Sequence, residues 1–161
     1  GIAPFAQHLY KVWSLQKMEQ LVEVLSKKGY DIFLFGGGNK EKSIAEAWSA
    51  KYPKVNNTIG KFSVSEELDI IANLNVMLSM DSSGMHMASL VGTRCVSIWG
   101  ATHPFAGFLG YGQNYNDCIQ VEHPNRPSSI YGNKPCLCDN VEAIDLVTVD
   151  MVVNHIEKIC E

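Results

Sequence analysis

Long apolar runs are absent from the sequence: no stretch approaches the roughly 20 residues that a membrane-spanning helix requires. Positive charge is scarce, because 13 Lys and Arg stand against 17 Asp and Glu and give a formal net charge of −4. That balance disfavours a protein that binds nucleic acid by general electrostatic attraction. An initiating Met is also absent, and the chain opens on the strand-like run Gly1-Ile-Ala-Pro. We therefore expect a piece of a longer protein, without a signal peptide.

Several catalytic signatures are absent as well. Ser82 and Ser83 follow Met80 and Asp81, so the Gly-x-Ser-x-Gly turn of serine hydrolases is missing. The glycine turn at residues 36–38 matches neither the dinucleotide-binding Gly-x-Gly-x-x-Gly nor a Walker loop. Metal-dependent transferases often carry an Asp-x-Asp motif, and none occurs here. We therefore expect phosphate charge to be stabilised by Lys, His and backbone dipoles, with no metal.

The five cysteines are irregularly spaced, at positions 95, 118, 136, 138 and 160. An odd count without regular spacing predicts free thiols in a reducing compartment. The alternative is a zinc site built from Cys118, His123, Cys136 and Cys138. Its spacing does not match a strong zinc pattern such as paired Cys-x-x-Cys.

The 161 residues suffice for one domain, and 46% hydrophobic with 19% charged residues is typical of globular proteins. Short apolar runs alternate with segments of helical periodicity. The predicted strands cover residues 1–5, 31–35, 57–59, 75–80 and 94–99. The predicted helices cover residues 15–28, a segment around 44–48, a segment after Ser63, residues 81–90 and a segment from Thr148. This alternation predicts an α/β fold: a Rossmann-like parallel sheet with helices on both faces.

Local signals mark the ends of the helices and one irregular region. Ser63 and Glu66 form a predicted capping box, and Gly29 after Lys27 and Lys28 is typical of a helix C-terminus. Residues 100–135 are rich in Gly, Pro, Asn, Tyr and His, with one predicted strand near 118–121. Irregular segments of this length within a compact domain are usually functional or mobile.

Polar and glycine residues follow the predicted strands. Right-handed crossovers place every strand-to-helix turn at one edge of a parallel sheet, which is where ligands bind. Lys11 follows the first strand, Gly37 and Glu41 follow the second, and Thr102 follows the fifth. A lysine there can neutralise a diphosphate, a glycine admits close approach of a ligand, and a carboxylate can accept hydrogen bonds from ribose. The alternative is a solvated surface lysine and a simple turn.

The most informative stretch is Asp81-Ser-Ser-Gly-Met-His86, which opens a helix directly after a buried strand. The first N–H groups of a helix lack intrahelical partners and suit a phosphate, and the small residues Ser82, Ser83 and Gly84 let an anion approach. His86 projects from the same helix face as Ser83, where it can donate to a phosphate or a leaving oxygen. The alternative is an ordinary N-cap at Asp81 or Ser82, with His86 in the core.

Taken in order, these segments resemble the C-terminal half of glycosyltransferase family 9, the ADP-heptose:lipopolysaccharide heptosyltransferases. The similar segments are Gly1-Ile-Ala-Pro-Phe-Ala with Lys11-Val-Trp13, Phe33-Leu-Phe-Gly-Gly-Gly-Asn-Lys-Glu41, Asp81-Ser-Ser-Gly-Met-His86-Met-Ala88, Ser97-Ile-Trp-Gly100-Ala-Thr102-His-Pro104 and the closing stretch 138–159. The third is similar to the family signature Asp-Ser-Gly-x-Met-His-x-Ala. Ser83 and Gly84 depart from it, since the family usually has Gly at the first position and Pro or Leu at the second.

The resemblance implies that residues 1–161 form the single nucleotide-sugar-binding domain of a two-domain GT-B enzyme, without its N-terminal acceptor domain. It implies a metal-independent transfer of heptose, or a related sugar, from an ADP-sugar to a lipopolysaccharide core acceptor, with no cofactor. Lys11 and His86 would serve catalysis, and Glu41 would hold the ribose. The residues from Asp81 to Gly84 would surround the phosphates, with Gly37 and Thr102 nearby.

The general base would belong to the N-terminal domain, so the resemblance implies that this chain alone is inactive. It also implies a cytoplasmic protein that associates peripherally with the inner face of the inner membrane in its full-length form, and no nucleic-acid partner. Two other interpretations stay open. Half of a nucleotide-sugar epimerase would need acid and base carboxylates in the cleft, and a non-catalytic nucleotide-binding module would bind nucleotide tightly on its own.

Overall fold

The computed structural model describes the whole chain, from Gly1 to Glu161. The helices are α1 (Leu15–Lys27), α2 (Gly38–Lys51), α3 (Val64–Ala72), α4 (Ser83–Leu90) and α5 (Val149–Cys160). The strands are β1 (Ile32–Leu34), β2 (Val55–Asn57), β3 (Met77–Met80), β4 (Cys95–Ile98), β5 (Cys118–Ile119), β6 (Leu137–Cys138) and β7 (Val141–Glu142). Short 3-10 turns occupy Leu9–Lys11, Pro104–Ala106, Tyr115–Asp117 and Ala143–Leu146. None of the helices is both long and apolar enough to cross a membrane.

The predicted parallel sheet is confirmed. β1 pairs with β2, β3 pairs with β4, and β4 pairs with β5, all in parallel. Ile2 joins the two groups, because it bridges both Leu34 of β1 and Leu78 of β3. The order across the sheet is therefore β2, β1, Ile2, β3, β4, β5. The predicted first strand, residues 1–5, is reduced to this bridge, since Pro4 has no N–H to continue the ladder.

Two other strand predictions need correction. The strand predicted at residues 57–59 lies at Val55–Asn57, because the Asn57 Oδ1 accepts a hydrogen bond from the Ile59 N–H at 2.9 Å and turns the chain there. The antiparallel hairpin β6–β7 was not predicted. Its turn residues, Asp139 and Asn140, have φ values of 50° and 67°, which two-residue hairpin turns require.

The sheet has helices on both faces, as predicted. On one face, strand residues such as Leu78 and Val96 pack in a cluster with α1, α2 and α5. On the other face, alternate residues such as Met77 and Cys95 pack with α3 and α4. Alternation along each strand therefore gives two apolar cores, and the strand ends remain open for polar side chains.

The predicted helix boundaries are largely confirmed. Ser63 and Glu66 form the capping box at the start of α3. Gly29, just after α1, has a φ of 93°, a conformation that suits glycine at a helix end. Thr148 caps α5, because its hydroxyl oxygen accepts a hydrogen bond from the Met151 N–H at 3.2 Å.

Candidate functional site

A cleft of about 770 Å³ opens at the edge of the sheet where β1 and β3 end. Its volume is in the range of ordinary small-molecule sites. Eight of the nine predicted site residues line it: Lys11, Gly37, Glu41, Asp81, Ser82, Ser83, Gly84 and His86. The expectation that these strand-end residues would lie together is therefore confirmed.

Lys11 is held inside the cleft by an ion pair. Its Nζ lies 2.7 Å from the Asp81 Oδ2, and the two side chains are 11% and 3% exposed. The backbone nearby is anchored by Trp13, a fully buried residue whose indole N–H donates to the Val147 carbonyl at 3.0 Å. A buried carboxylate requires a partner, so Asp81 fixes the ammonium beside the N-terminus of α4.

The N-terminus of α4 is available to a ligand. Ser82 is the N-cap residue by position, but its side chain makes no capping hydrogen bond. Its Oγ lies instead 3.0 Å from the Ser79 Oγ. The Met85 N–H donates to the Ser82 carbonyl at 3.2 Å, and the N–H groups of Ser83 and Gly84 have no side-chain partner and can bind an anion.

Gly84 allows α4 to approach the first residues of the chain. A Cβ built at this position lies only 2.5 Å from the Ala3 Cβ and 2.9 Å from the Ser79 Oγ. In this chain the start of α4 therefore has no space for a side chain at position 84.

Glu41 closes the glycine turn that follows β1. Its Oε2 accepts a hydrogen bond from the Gly37 N–H at 2.7 Å. A Cβ at Gly36 would lie 2.7 Å from the same oxygen, so the turn has no room for a side chain there. The carboxylate is thus oriented toward the cleft, where its other oxygen is free to accept from a ligand hydroxyl.

His86 and Thr102 lie in different surroundings. His86 is exposed and lines the cleft, so the alternative that placed it in the core is wrong. Thr102 is fully buried outside the cleft lining, with its Oγ1 unpaired and its carbonyl accepting from Arg126 at 3.0 Å. A role for Thr102 in binding stays a prediction.

Several cleft residues were missed from the sequence, of which Phe108, Tyr131 and Glu67 are the most informative. The Phe108 ring centroid lies 5.4 Å from the Lys11 Nζ, and Tyr131 lies beside Phe108 with 5.9 Å between ring centroids. Glu67 of α3 also lines the cleft, and burial raises the pKa of its carboxyl group. The composition of residues 100–135 indicated a functional segment, but nothing in it singled out these aromatic residues.

The zinc hypothesis is wrong for this structure. The Ser97 hydroxyl lies 3.5 Å from the Cys118 Sγ, whereas the Cys136 thiol donates to the Asn125 carbonyl at 3.4 Å. No group of three or more His, Cys, Asp or Glu side chains is placed to hold a metal ion. All five cysteines are free, as predicted, while the compartment stays a prediction.

A second hollow, of about 220 Å³, lies at the opposite ends of the strands. Its lining is mainly apolar, and its one charged side chain, Asp31, is itself an anion. An anionic ligand is therefore expected to bind in the larger cleft rather than in this hollow.

Comparison with known proteins places these features in a family. Residues 1–134 match the family model described as "Glycosyltransferase family 9 (heptosyltransferase)". The chain is 28% identical over 104 residues to lipopolysaccharide heptosyltransferase 3 of Escherichia coli, which covers 63% of this chain and 31% of that protein. The chain thus spans about a third of the length of this curated relative.

Solved structures share the fold over nearly the whole chain. A glycosyltransferase family 9 protein from Veillonella parvula has a TM-score of 0.75 at 17% identity, covering 99% of this chain and 44% of that one. The E. coli heptosyltransferase WaaC, solved with ADP, has a TM-score of 0.72 at 19% identity, covering 98% and 43%.

Proposed function

The chain belongs to glycosyltransferase family 9, and we propose that it is the donor-binding domain of an enzyme that transfers heptose, or a related sugar, from an ADP-sugar to a lipopolysaccharide core acceptor. The name of the curated relative and the ADP bound by the solved relative support this proposal. The observation that carries it is the Lys11 ammonium held beside the first amides of α4. Two positive groups that converge on one point suit a diphosphate.

The donor lies across the edge of the sheet in this proposal. Glu41, next to Gly37, accepts hydrogen bonds from the ribose hydroxyls. The diphosphate binds between Lys11 and the N–H groups of Ser83 and Gly84. His86, on the exposed side of the same helix, reaches the phosphate farthest from the nucleoside.

The chemistry is a displacement at the anomeric carbon. The acceptor hydroxyl attacks that carbon, its bond to the diphosphate oxygen breaks, and ADP leaves with increased negative charge. Lys11 and the first amides of α4 stabilise that charge, and His86 donates a hydrogen bond to the leaving phosphate. We expect transfer without a divalent metal, because these groups already supply the positive charge.

The acceptor hydroxyl also needs a general base. Asp81 is paired with Lys11 and Glu41 with the Gly37 N–H, so neither is a free base. Glu67 is the one remaining carboxylate of the cleft, whereas an epimerase needs both an acid and a base beside the sugar, so an epimerase is disfavoured. We propose that the base and the acceptor site belong to another part of a longer protein, and that this chain alone binds the donor without transferring sugar.

We further propose that the enzyme works in the cytoplasm, in peripheral contact with the inner face of the inner membrane. The relative's lipopolysaccharide substrate supports this location, because such an acceptor is anchored in a membrane. The scarcity of positive charge supports the absence of a nucleic-acid partner.

Titration calorimetry of the 161-residue chain with ADP and with adenosine tests the proposal. We expect ADP to bind with a Kd in the micromolar to millimolar range, and binding to be equal with EDTA or Mg²⁺. Lys11→Ala should weaken ADP binding about 10-fold or more, as expected for a lost charged hydrogen bond, and leave adenosine binding unchanged.

The control for this titration is Lys27→Ala, which removes an exposed lysine at the far end of α1. It should change neither ligand's affinity. Absence of heat with every nucleoside diphosphate would contradict the donor site. Equal losses for ADP and adenosine in Lys11→Ala would remove Lys11 from its phosphate role, and a requirement for Mg²⁺ would contradict metal-free binding.

A further inference from the structure

Two of the aromatic side chains that line the cleft, Phe108 and Tyr131, come from the irregular segment after β4 and have no role in the nucleotide contacts described above. Phe108 is half-buried and packs against the core on the α3–α4 face, whereas Tyr131 is 59% exposed. Their ring planes meet at 59° with 5.9 Å between centroids, which is a favourable tilted arrangement. Together they form a continuous aromatic wall at one side of the cleft.

The wall is held in place at both of its residues. Gly107, with a φ of 93°, ends the 3-10 turn before Phe108 and reverses the chain. Gly132, directly after Tyr131, lies so close to Lys11 that a Cβ would be 2.6 Å from the lysine Cγ. The aromatic wall is therefore held next to the ammonium group of Lys11.

The segment that carries Tyr131 is also tied to the chain that follows β4. The guanidinium of Arg126 donates to the carbonyls of Gly100, at 2.6 Å, and Thr102, at 3.0 Å. The Ser128 N–H donates to the Ala101 carbonyl at 3.0 Å. Residues 100–135 are irregular, but at this point they form a framework with fixed partners.

The order of strands places this wall at the sugar end of the donor. Glu41 follows β1, Lys11 follows the Ile2 bridge, Asp81 follows β3, and Phe108 comes after β4. These strands are consecutive neighbours, so the edge from β1 to β4 spans roughly 14 Å at ordinary strand spacing. A donor with its ribose at Glu41 and its diphosphate at Lys11 therefore has its sugar directed toward Phe108 and Tyr131.

From this order we infer that Phe108 and Tyr131 bind the sugar ring of the donor and select a sugar nucleotide over a bare nucleoside diphosphate. The inference rests on the proposed function and assigns its sugar subsite. The faces of aromatic rings carry partial negative charge, and the C–H groups of a sugar ring pack against such faces. The wall adjoins the Lys11 ammonium, so a sugar on it lies next to the leaving phosphate.

Calorimetry with ADP and ADP-heptose, on the 161-residue chain, tests the inference. The unaltered chain should bind ADP-heptose more tightly than ADP. Tyr131→Ala should weaken ADP-heptose binding roughly three- to tenfold, with less than a twofold change for ADP. Tyr131→Phe, which keeps the ring, should retain the preference, and Tyr111→Ala, at an exposed tyrosine outside the cleft, should change nothing.

The outcomes separate this inference from the proposed function. If ADP binds but ADP-heptose binds no more tightly, the wall does not contact the sugar and the inference fails alone. It also fails if Tyr131→Ala weakens both ligands equally or weakens neither. If neither ligand binds the unaltered chain, the proposed function fails and the inference falls with it.

Discussion

At the scale of single residues, we expect the Lys11–Asp81 ion pair to contribute both to stability and to donor binding. Asp81 is almost fully buried, and Lys11 is the cation that offsets its charge. A bound diphosphate would interact with the same Lys11 ammonium group. The lysine therefore cannot be removed without a cost to the folded protein, because a buried carboxylate without a partner is strongly unfavourable.

The stability cost can be separated from the binding cost by a double substitution. Lys11→Ala should lower the free energy of unfolding by about 3 kcal/mol, because the Asp81 charge loses its partner. Adding Asp81→Asn should restore most of that loss, since no buried charge remains, yet ADP affinity should stay low. Urea denaturation and calorimetry measure the two effects. A double variant as unstable as the single one would show that Asp81 is not the source.

At the scale of secondary structure, the N-terminus of α4 has no side-chain cap and is the proposed binding site of the diphosphate. Ser83, the first helical residue, is exposed at the cleft. A carboxylate at this position interacts favourably with the helix dipole but repels phosphate. Stability and binding are therefore expected to respond in opposite directions to the same substitution.

Ser83→Asp tests this opposition. The variant should be more stable by about 0.3–1 kcal/mol, from the helix-dipole interaction, and should bind ADP at least roughly 10-fold more weakly from charge repulsion. Thermal denaturation and calorimetry give the two values. The neutral Ser83→Asn variant is the control and should keep most of the ADP affinity. Unchanged ADP binding in Ser83→Asp would place the phosphate elsewhere.

The elements differ in how well their sequences predict them. β3, β4, α4 and α5 are predicted nearly at their true bounds, because buried apolar runs and capping residues act locally. The first strand is shorter than predicted, since pairing on both sides of Ile2 depends on distant partners. The hairpin β6–β7 carries a local signal in Asp139 and Asn140 that the prediction overlooked.

The candidate site also has one part that local sequence signals predict and another part that depends on tertiary contacts. Its phosphate side is predictable because strand-to-helix turns in a parallel sheet share one edge. Its aromatic wall is not, because Phe108 and Tyr131 come from an irregular segment and meet only through tertiary contacts. Thr102 has the expected place in the chain, but the turn after β4 buries it away from the cleft.

At the scale of the whole molecule, one charged network joins the amino ends of two strands to the last helix. Arg94, before β4, donates two hydrogen bonds of 2.8 Å to the carboxylate of Asp117, which precedes β5. His155 of α5 lies 2.9 Å from the same carboxylate. Burial opposes the charge of Asp117, but the bonds from Arg94 and His155 outweigh it and hold its pKa below the ordinary value.

Acid should therefore weaken the fold through this network. A carboxyl whose pKa is lowered by folding stabilises the protein above its unfolded-state pKa, and this stabilisation disappears as the pH falls through the folded-state value. Urea denaturation should show a loss of stability below about pH 4. Asp117→Asn should be less stable at neutral pH and should show a shallower loss in acid. Parallel curves for the two proteins would contradict this role.

The bridge at Ile2 joins segments that are far apart in the chain, so the sheet can be completed only after β3 has been synthesised. The Gly1 amino group donates to the Val76 carbonyl, 75 residues along the chain, and Ile2 lies between β1 and β3. During translation at about 5–20 residues per second, the segment at Ile2 is synthesised several seconds before β3. Through that interval the early β1–β2 pair exposes an unpaired edge, the kind of surface on which nascent chains aggregate. The segment at Ile2 is therefore paired with a strand that is synthesised much later, and we expect a chaperone to protect this part of the chain most during that delay.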